Sequence, residues 1–404
     1  MTKAFSLAMI AVLLLIATLC QAAEPHGWRG DGSGEYPTAN PPTEWTADKN
    51  VVWTTPLAKW SNASPIMVGD KLFICAEPNS LLCLSATDGK ILWEKTNGAA
   101  DLATPAEQAM KLPGSHKDMG SSTQTPVSDG VNVWALYASG VATCFTLDGV
   151  RVWTKQLRAP APSAWGFDAS PVLVDGKLII VYGDVYAYNP LTGEQLWQAK
   201  SLQHWGSPVV TSIGGVNVLV TTNGEIIRIS DGVILAKGLF KPEYNAPVVH
   251  DSVIYSVEKG QNAEKAIAWQ LPAKIENDAV TPTKLWEAAI PANRYYASPV
   301  YSNGTLYLMA QSGQFTALDA KTGTDLNKWP GRLPNMGGEL YYPSLAAAGK
   351  YLYVSNESTM LVIDTTTNTE IARNPIPGKF RSTPIFVGER MYVRGKTTMY
   401  CIGK

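Results

Sequence analysis

The sequence is poor in charged residues and in cysteine, and neither sign of charge predominates. Lysine and arginine number 33 against 34 aspartates and glutamates, and charged residues make up 17% of the 404 residues. Because no basic stripe is present, the chain lacks the electrostatic footprint that binds nucleic acid. The four histidines and five cysteines show no CxxC or HxxxH spacing, which argues against a zinc site and predicts no metal centre of that kind.

Long apolar runs are also absent, except for one near the N-terminus. There, Lys3 precedes an apolar stretch from Ala8 to Leu19, and small residues follow it. The stretch is short for a membrane span and is typical of a signal peptide, predicted over residues 1–22. This indicates a periplasmic or secreted protein of the bacterial envelope. Lipidation of Cys20 is the alternative, and only in that case do we expect membrane attachment, although Leu19 is not the small residue that usually precedes a lipidated cysteine.

Four cysteines remain after the predicted cleavage, at positions 75, 83, 144 and 401. Cys83, Cys144 and Cys401 occupy nearly equivalent places in the repeat described below, which favours small buried positions in strands. Cys75 and Cys83 flank a predicted hairpin, so a disulfide between them is the alternative in an oxidising compartment. The strand register decides between the two.

What the sequence does contain is a repeated unit. A phrase like Ser-Pro-Val recurs eight times, and its spacing of about 46 residues is typical of four-stranded propeller blades. The phrase begins the innermost strand, A, and Asp-Gly or Thr-Gly turns separate the later strands B, C and D. Tryptophans recur in strand D, where we expect each indole to pack against the neighbouring blade. These predicted blade-docking residues are Trp53, Trp93, Trp153, Trp197 and Trp286.

The unit count predicts an all-β, eight-bladed β-propeller. The eighth unit lacks strand D, whereas Asn50–Leu57 looks like a strand D with no blade before it. We therefore predict that the N-terminal strand Val51–Thr54 pairs with Met399–Ile402 and closes the ring, which removes open sheet edges. Seven blades is the alternative, because units four, five and seven are irregular. Residues 44–404 form this single domain, and residues 23–43 are predicted to lie extended over the surface.

The segments that connect strand D to the next strand A carry the candidate site. In almost every unit an aromatic residue stands beside a polar or charged one just before strand A, and these loops share one face around the channel. Aromatic platforms with convergent polar groups suit flat or polyol ligands, and also protein anchors. A purely structural rim, with aromatics capping the channel, is the alternative. The predicted binding residues are Trp60, Asn62, Asp118, Trp165, Asp168, His204, Trp205, Tyr244, Asn245, Arg294, Tyr296, Tyr342 and Arg381.

Two insertions interrupt the repeat. Residues 97–120 form a long loop on the same face, with a short helix predicted in it because Thr104 can cap a helix whose first residue is Pro105. Residues 259–283 are predicted to distort blade five. Long insertions of this kind are often functional.

The phrase Leu-Asp-Ala-Lys-Thr-Gly at residues 318–323, the strand D tryptophans and the Ser-Pro-Val starts resemble the pyrroloquinoline-quinone (PQQ) repeat family of β-propellers. The opening His26-Gly-Trp-Arg-Gly30 with Pro42–Trp45 and Asn50–Trp53 is similar to a secreted, BamB-like or unassigned subfamily. The resemblance implies either a quinone-dependent dehydrogenase or a non-catalytic scaffold. The chain is shorter than those dehydrogenases, has no adjacent cysteine pair and shows no assignable catalytic set.

We therefore predict a non-catalytic binding or scaffold protein, without catalytic residues and without a required cofactor. Its expected partner is a protein or a glycan. The alternative is an alcohol or sugar dehydrogenase that uses PQQ and Ca²⁺, with Asp118 or Asp168 as base. A glycan-cleaving enzyme is a third alternative, and it would need two carboxylates set across the channel.

Overall fold

A computed structural model describes residues 27–109, 111–161, 163, 165–203, 205–241, 244–259, 264–326 and 342–404. The predicted signal peptide, Cys20, His26 and His204 lie outside these residues. The described part is almost entirely β: eight sheets form a ring, so the predicted eight-bladed propeller is confirmed and the seven-bladed alternative is wrong. None of the helices found in these ranges is long and apolar enough to cross a membrane.

Strands are given for each blade from the channel outward. The first four blades have these bounds: Ile66–Val68, Lys71–Ala76, Ser80–Ser85 and Ile91–Thr96 in blade one; Val127–Ser128, Asn132–Leu136, Val141–Thr146 and Arg151–Gln156 in blade two; Val172–Val174, Lys177–Tyr188 and Gln195–Gln203 in blade three; Val209–Ile213, Val216–Val220, Ile226–Arg228 and Ile234–Ala236 in blade four. Lys177–Tyr188 is one continuous element that spans strands B and C.

The other four blades have these bounds: Val248–His250, Val253–Glu258, Glu264–Gln270 and Thr283–Ile290 in blade five; Val300–Ser302, Thr305–Met309 and Phe315–Asp319 in blade six; Ser344–Ala348, Tyr351–Asp364 and Thr369–Phe380 in blade seven; Ile385–Val387, Arg390–Arg394, Thr398–Ile402 and Val51–Pro56 in blade eight. In blade six strand D begins at Asp325 and Leu326, where the Leu326 amide donates to the Ala317 carbonyl over 2.8 Å. Its continuation lies outside the described residues.

The ring closes as predicted. Strand Val51–Pro56 pairs antiparallel with Thr398–Ile402, so that Trp53 lies opposite Cys401 and Thr54 opposite Tyr400. The N-terminal strand is thus strand D of the last blade. This pairing covers a sheet edge that would otherwise be open to another chain.

Each strand D tryptophan contacts the next blade in the same way. The indole N–H donates to a backbone carbonyl at the turn between strands C and D of that blade, over 2.8–3.1 Å. The pairs are Trp53 with Ala86, Trp93 with Leu147, Trp153 with Pro190, Trp197 with Ile229 and Trp286 with Ala320. The indole also covers the glycine of that turn so closely that a Cβ there would lie 2.5–3.1 Å from it. The repeated Thr-Gly or Asp-Gly turn is therefore half of the contact between blades.

Blades four and seven lack this tryptophan within the described residues, and other segments fill its place there. Ala236 stands there in blade four, and the excursion 271–282 of blade five packs on it through Leu271 and Val280. The Val280 amide donates to the Leu235 carbonyl over 3.0 Å. In blade seven, Ala372 packs instead in a cluster with the buried Trp45 from the N-terminal segment.

The prediction that residues 23–43 lie over the surface is wrong for residues 27–36, whereas Pro37, Thr38 and Asn40 are exposed. Arg29 and Gly34 are buried, and Glu35–Tyr36 forms a short strand parallel to the innermost strand of blade seven. The Arg29 guanidinium donates through Nη2 to the Pro299 carbonyl of blade six over 2.8 Å. Residues 27–36 therefore lie inside the channel, where glycines let the backbone approach the surrounding strands.

The predicted helix in the first insertion is present as Pro105–Gln108, after a 3₁₀ turn at Ala99–Asp101. Thr104 caps it: its hydroxyl accepts from the Glu107 amide, and the Glu107 carboxylate accepts from the Thr104 amide. This reciprocal pair satisfies two donors at the start of the helix.

The cysteines occupy buried strand positions. Cys75 lies opposite Leu81, and Cys83 lies opposite Phe73, so this register does not bring the two thiols together. All four cysteines of the described ranges are buried and unbonded to one another. Burial raises the pKa of the Cys75, Cys83 and Cys144 thiols to about 12, which keeps them protonated and unreactive.

Candidate functional site

The centre of the ring contains a cavity of about 580 Å³. This volume is within the range of roughly 300–1,000 Å³ found for small-molecule sites. Its upper wall consists of residues that precede or begin strand A in successive blades. The N-terminal segment contributes Trp28 and Arg29. Since the same segment pairs with the far end of strand A in blade seven, it closes the channel below and makes the cavity a pocket open on the D-to-A side.

The structure brings most of the predicted site residues together. The predicted residues that line the cavity are Asn62, Asp118, Trp165, Asp168, Trp205, Tyr244, Arg294, Tyr296, Tyr342 and Arg381. Two others lie outside the lining. Trp60 lies under the Lys396 ammonium, 4.9 Å from its ring centre, and Asn245 is buried with Nδ2 donating to the Tyr295 carbonyl over 3.1 Å. Their side chains serve contacts between segments of the ring.

Four aromatic side chains from consecutive blades form an arc on one side of the mouth. The aromatic arc consists of Trp205, Tyr244, Tyr296 and Tyr342. Neighbouring ring centres are 5.6, 4.6 and 5.0 Å apart and the planes are inclined by 38–42°. Arg381 continues it, with its guanidinium carbon 4.4 Å from the centre of the Tyr342 ring. Tilted pairs at this spacing stabilise one another, so the wall is held in place before any ligand arrives.

The first insertion completes the other side of the mouth. Glu77 fixes the C-terminal end of this insertion: its Oε1 atom accepts hydrogen bonds from the amides of Ser121 and Ser122 over 2.7 and 2.9 Å. Asn62 donates to the Met119 carbonyl over 3.0 Å, and Arg381 donates to the Asp118 carbonyl over 3.4 Å. The loop is thereby tied to blades one and eight.

A ring of serine hydroxyls lines the cavity below the aromatic arc. The amides of Thr125, Ser170, Ala246 and Thr383 each donate to a serine hydroxyl of the following blade, over 2.9–3.0 Å. We call the accepting residues the serine ring: Ser64, Ser170, Ser207 and Ser298. A hydroxyl that accepts from an amide retains its own proton as a donor. The serine of the repeated Ser-Pro phrase therefore joins two blades and presents a donor near the channel.

Arg29 is the residue that sequence reasoning missed. Its side chain is 2% exposed, and Nη2 makes the one hydrogen bond found for it in the described ranges. Its Nε and Nη1 atoms are buried without a partner. Gly34 makes room for the guanidinium, since a Cβ there would lie 2.5 Å from Nη2. Burial lowers the pKa of Arg29 to about 10, so it remains a cation at neutral pH.

Asp168 is a carboxylic acid of the cavity lining whose pKa is shifted. Burial raises its pKa to about 7, and the hydrogen bond that it accepts from the Gly206 amide opposes the shift. A carboxyl group with a pKa of about 7 can bind or release a proton at neutral pH. Asp118 is exposed at the mouth, with a carboxylate oxygen 3.6 Å from His116 Nδ1.

The residues do not fit a calcium and quinone centre. Calcium takes six to eight oxygen ligands, several of them carboxylates. Across the ranges that the structure describes, no three His, Cys, Asp or Glu side chains converge on a metal position. The carboxylates in the described lining are Asp118 and Asp168, which belong to different loops.

Comparisons with known proteins agree on the fold. A family model described as outer membrane protein assembly factor BamB matches residues 43–182 and 181–328. BamB from Moraxella catarrhalis superposes with a TM-score of 0.61 at 13% identity, over 88% of this chain and 99% of that chain.

A europium-containing methanol dehydrogenase superposes with a TM-score of 0.65 at 11% identity, over 94% of this chain and 98% of that chain. Quinohemoprotein alcohol dehydrogenase from Comamonas testosteroni superposes with a TM-score of 0.54 at 10% identity, over 87% of this chain and 76% of that chain. No curated protein matches the chain. At these identities the structural likeness shows the shared fold alone.

Proposed function

The chain belongs to the PQQ-repeat propeller family whose model is described as outer membrane protein assembly factor BamB, and from this premise we propose that it is a non-catalytic binding protein of the bacterial envelope. Its ligand enters the central cavity from the D-to-A face. The envelope location rests on the signal-peptide pattern of residues 1–22.

The observation that carries the proposal is the pocket itself. Rim residues from all sides of the ring meet around about 580 Å³ of space, and the N-terminal segment closes the opposite end. The aromatic arc offers faces for stacking, and arginines stand beside it. Such convergence of apolar and polar groups in a preformed cavity is typical of a binding site. The poor fit to calcium favours binding over quinone chemistry.

We expect Trp205→Ala to weaken ligand binding about tenfold, because an aromatic face at a pocket contributes about 1–2 kcal/mol. The measurement is thermal denaturation and tryptophan fluorescence of the purified protein against a panel of neutral and acidic oligosaccharides. A bound member must raise the melting temperature, since it binds the native state alone. Trp60→Ala is the matched control, because Trp60 lies on the same face but outside the cavity.

A second arm tests the dehydrogenase alternative. The protein is incubated with PQQ and Ca²⁺, and the reduction of an artificial dye is followed with alcohols and sugars as substrates. We expect neither dye reduction nor stabilisation of the fold. Dye reduction that depends on PQQ would overturn the non-catalytic assignment. Equal responses of the Trp205→Ala and Trp60→Ala variants to every bound ligand would overturn the location of the site.

A further inference from the structure

We propose that the cavity binds an acidic sugar, and that Arg29 receives the anionic group of that sugar at the cavity floor. This inference rests on the proposed function, because it specifies the ligand of the same pocket. Three observations carry it: the state of Arg29, the excess of donors in the cavity and the geometry of the aromatic rim.

Arg29 is a buried cation that makes no direct ion pair with a carboxylate in the described residues. Asp31 and Glu35 of the same segment attract it only at longer range, and burial outweighs their effect on its pKa. A buried charge is strongly destabilising unless it is paired, and a buried donor without an acceptor adds to the loss. Arg29 nevertheless occupies a cavity wall, with Nε and Nη1 unpartnered. An anion in the cavity would satisfy both the charge and the donors.

The rest of the lining is rich in donors and positive. Arg294 and Arg381 join Arg29, whereas the carboxylates of the described lining are Asp118 and Asp168. The serine ring adds hydroxyl protons that its amide contacts leave available. A cavity of this kind attracts a ligand whose own groups are mainly acceptors and whose charge is negative.

The rim favours a sugar over a flat aromatic acid. Rings of the aromatic arc are inclined to one another by 38–42°, so adjacent rings in it do not offer two parallel faces between which a planar ligand could lie. A pyranose ring needs one aromatic face for its apolar side and hydroxyl partners for its edge. The aromatic arc and the serine ring provide these on successive levels of the cavity. The acid group would then reach Arg29.

The test compares digalacturonic acid with its dimethyl ester, which has the same rings without charge, by isothermal titration calorimetry. We expect the acid to bind at least tenfold more tightly. Arg29→Gln should abolish that preference, so that acid and ester bind this variant with equal affinity. Arg373→Gln is the control, because Arg373 pairs with Glu370 on the outer strand of blade seven, away from the cavity.

Arg29 is packed tightly, so a rim variant keeps the test decisive if Arg29→Gln fails to fold. Arg381→Gln should reduce the preference for the acid severalfold, and sodium sulfate should compete with the acid but not with the ester. Equal affinity for acid and ester would overturn the role of charge, and tighter binding of 2-naphthoate would overturn the assignment to a sugar. If neither sugar binds but Trp205→Ala still impairs another ligand, this inference fails and the proposed function stands.

Discussion

Replacing Trp53 with alanine is expected to lower the free energy of unfolding by about 3–5 kcal/mol, as large-to-small changes of buried aromatics do. Trp53 is 9% exposed, and its indole N–H donates to the Ala86 carbonyl over 3.1 Å. It joins blade eight to blade one, where the ring closes. Urea denaturation measures the loss. Trp165→Ala is the control: this residue is 46% exposed and its ring contacts His116 with centres 3.9 Å apart, so we expect a loss of at most about 1 kcal/mol.

The same contact can be tested from its other side. Gly89 has φ of 73°, and a Cβ there would lie 2.5 Å from the Trp53 ring. Gly69, in the same blade, has φ of 58° with nothing near. Both alanine variants therefore suffer backbone strain of about 1–2 kcal/mol, but only Gly89→Ala also displaces the indole and the neighbouring Thr55 hydroxyl. We expect Gly89→Ala to be the more destabilising by at least about 1 kcal/mol. Equal losses would show that the indole does not depend on this turn.

Asp168→Asn is expected to remove a large part of the dependence of stability on pH. The raised pKa of Asp168, about 7, means that the folded protein holds its proton at pH values where the unfolded chain, titrating near 3.9, has lost it. The stabilisation of the fold is therefore complete at low pH and is lost as the pH rises through about 7. The asparagine has no such loss. At pH 8 we expect this variant to be more stable than the native protein by about 2 kcal/mol, a value reduced for the access of water to the cavity.

Urea denaturation at pH 5 and pH 8 provides the measurement. Asp118→Asn is the matched control, since Asp118 is exposed on the same rim and its replacement should change stability little at either pH. Glu35, whose pKa burial also raises to about 7, will leave some pH dependence in the Asp168→Asn variant. A native protein whose stability rises between pH 5 and pH 8, in parallel with that of the variant, would contradict the assignment.

The ring could be predicted from the sequence because the same short motifs recur in every unit or in most of them. One Ser-Pro phrase or one tryptophan is weak, but eight similar units allow few architectures. The solitary strand around Trp53 then had one place to pair. The rim could be predicted for a related reason: in a propeller, the residue before strand A lies at the mouth whatever its identity. This logic located Trp205, Tyr244 and Tyr296, although it also selected Trp60, whose side chain turns away from the cavity.

The floor of the cavity could not be predicted in this way. Trp28 and Arg29 belong to a segment that occurs once, and no periodicity links it to blades that are far away in sequence. The glycines beside Arg29 provide space for the guanidinium and for the adjacent strands, which the sequence of an isolated segment does not reveal. Trp45 likewise compensates for Ala372 across more than half of the chain. Such contacts depend on tertiary packing alone.

The position of Arg29 and Trp53 in one short stretch links the pocket to the integrity of the whole ring. Residues 27–36 settle in the channel, and residues 51–56 complete the outermost strand of blade eight. If this stretch detached, blade eight would lose its strand D and the pocket would lose its floor at the same time. A ligand bound to Arg29 would therefore also stabilise the pairing that closes the ring, and it would protect residues 51–56 against proteolysis although they lie far from the mouth.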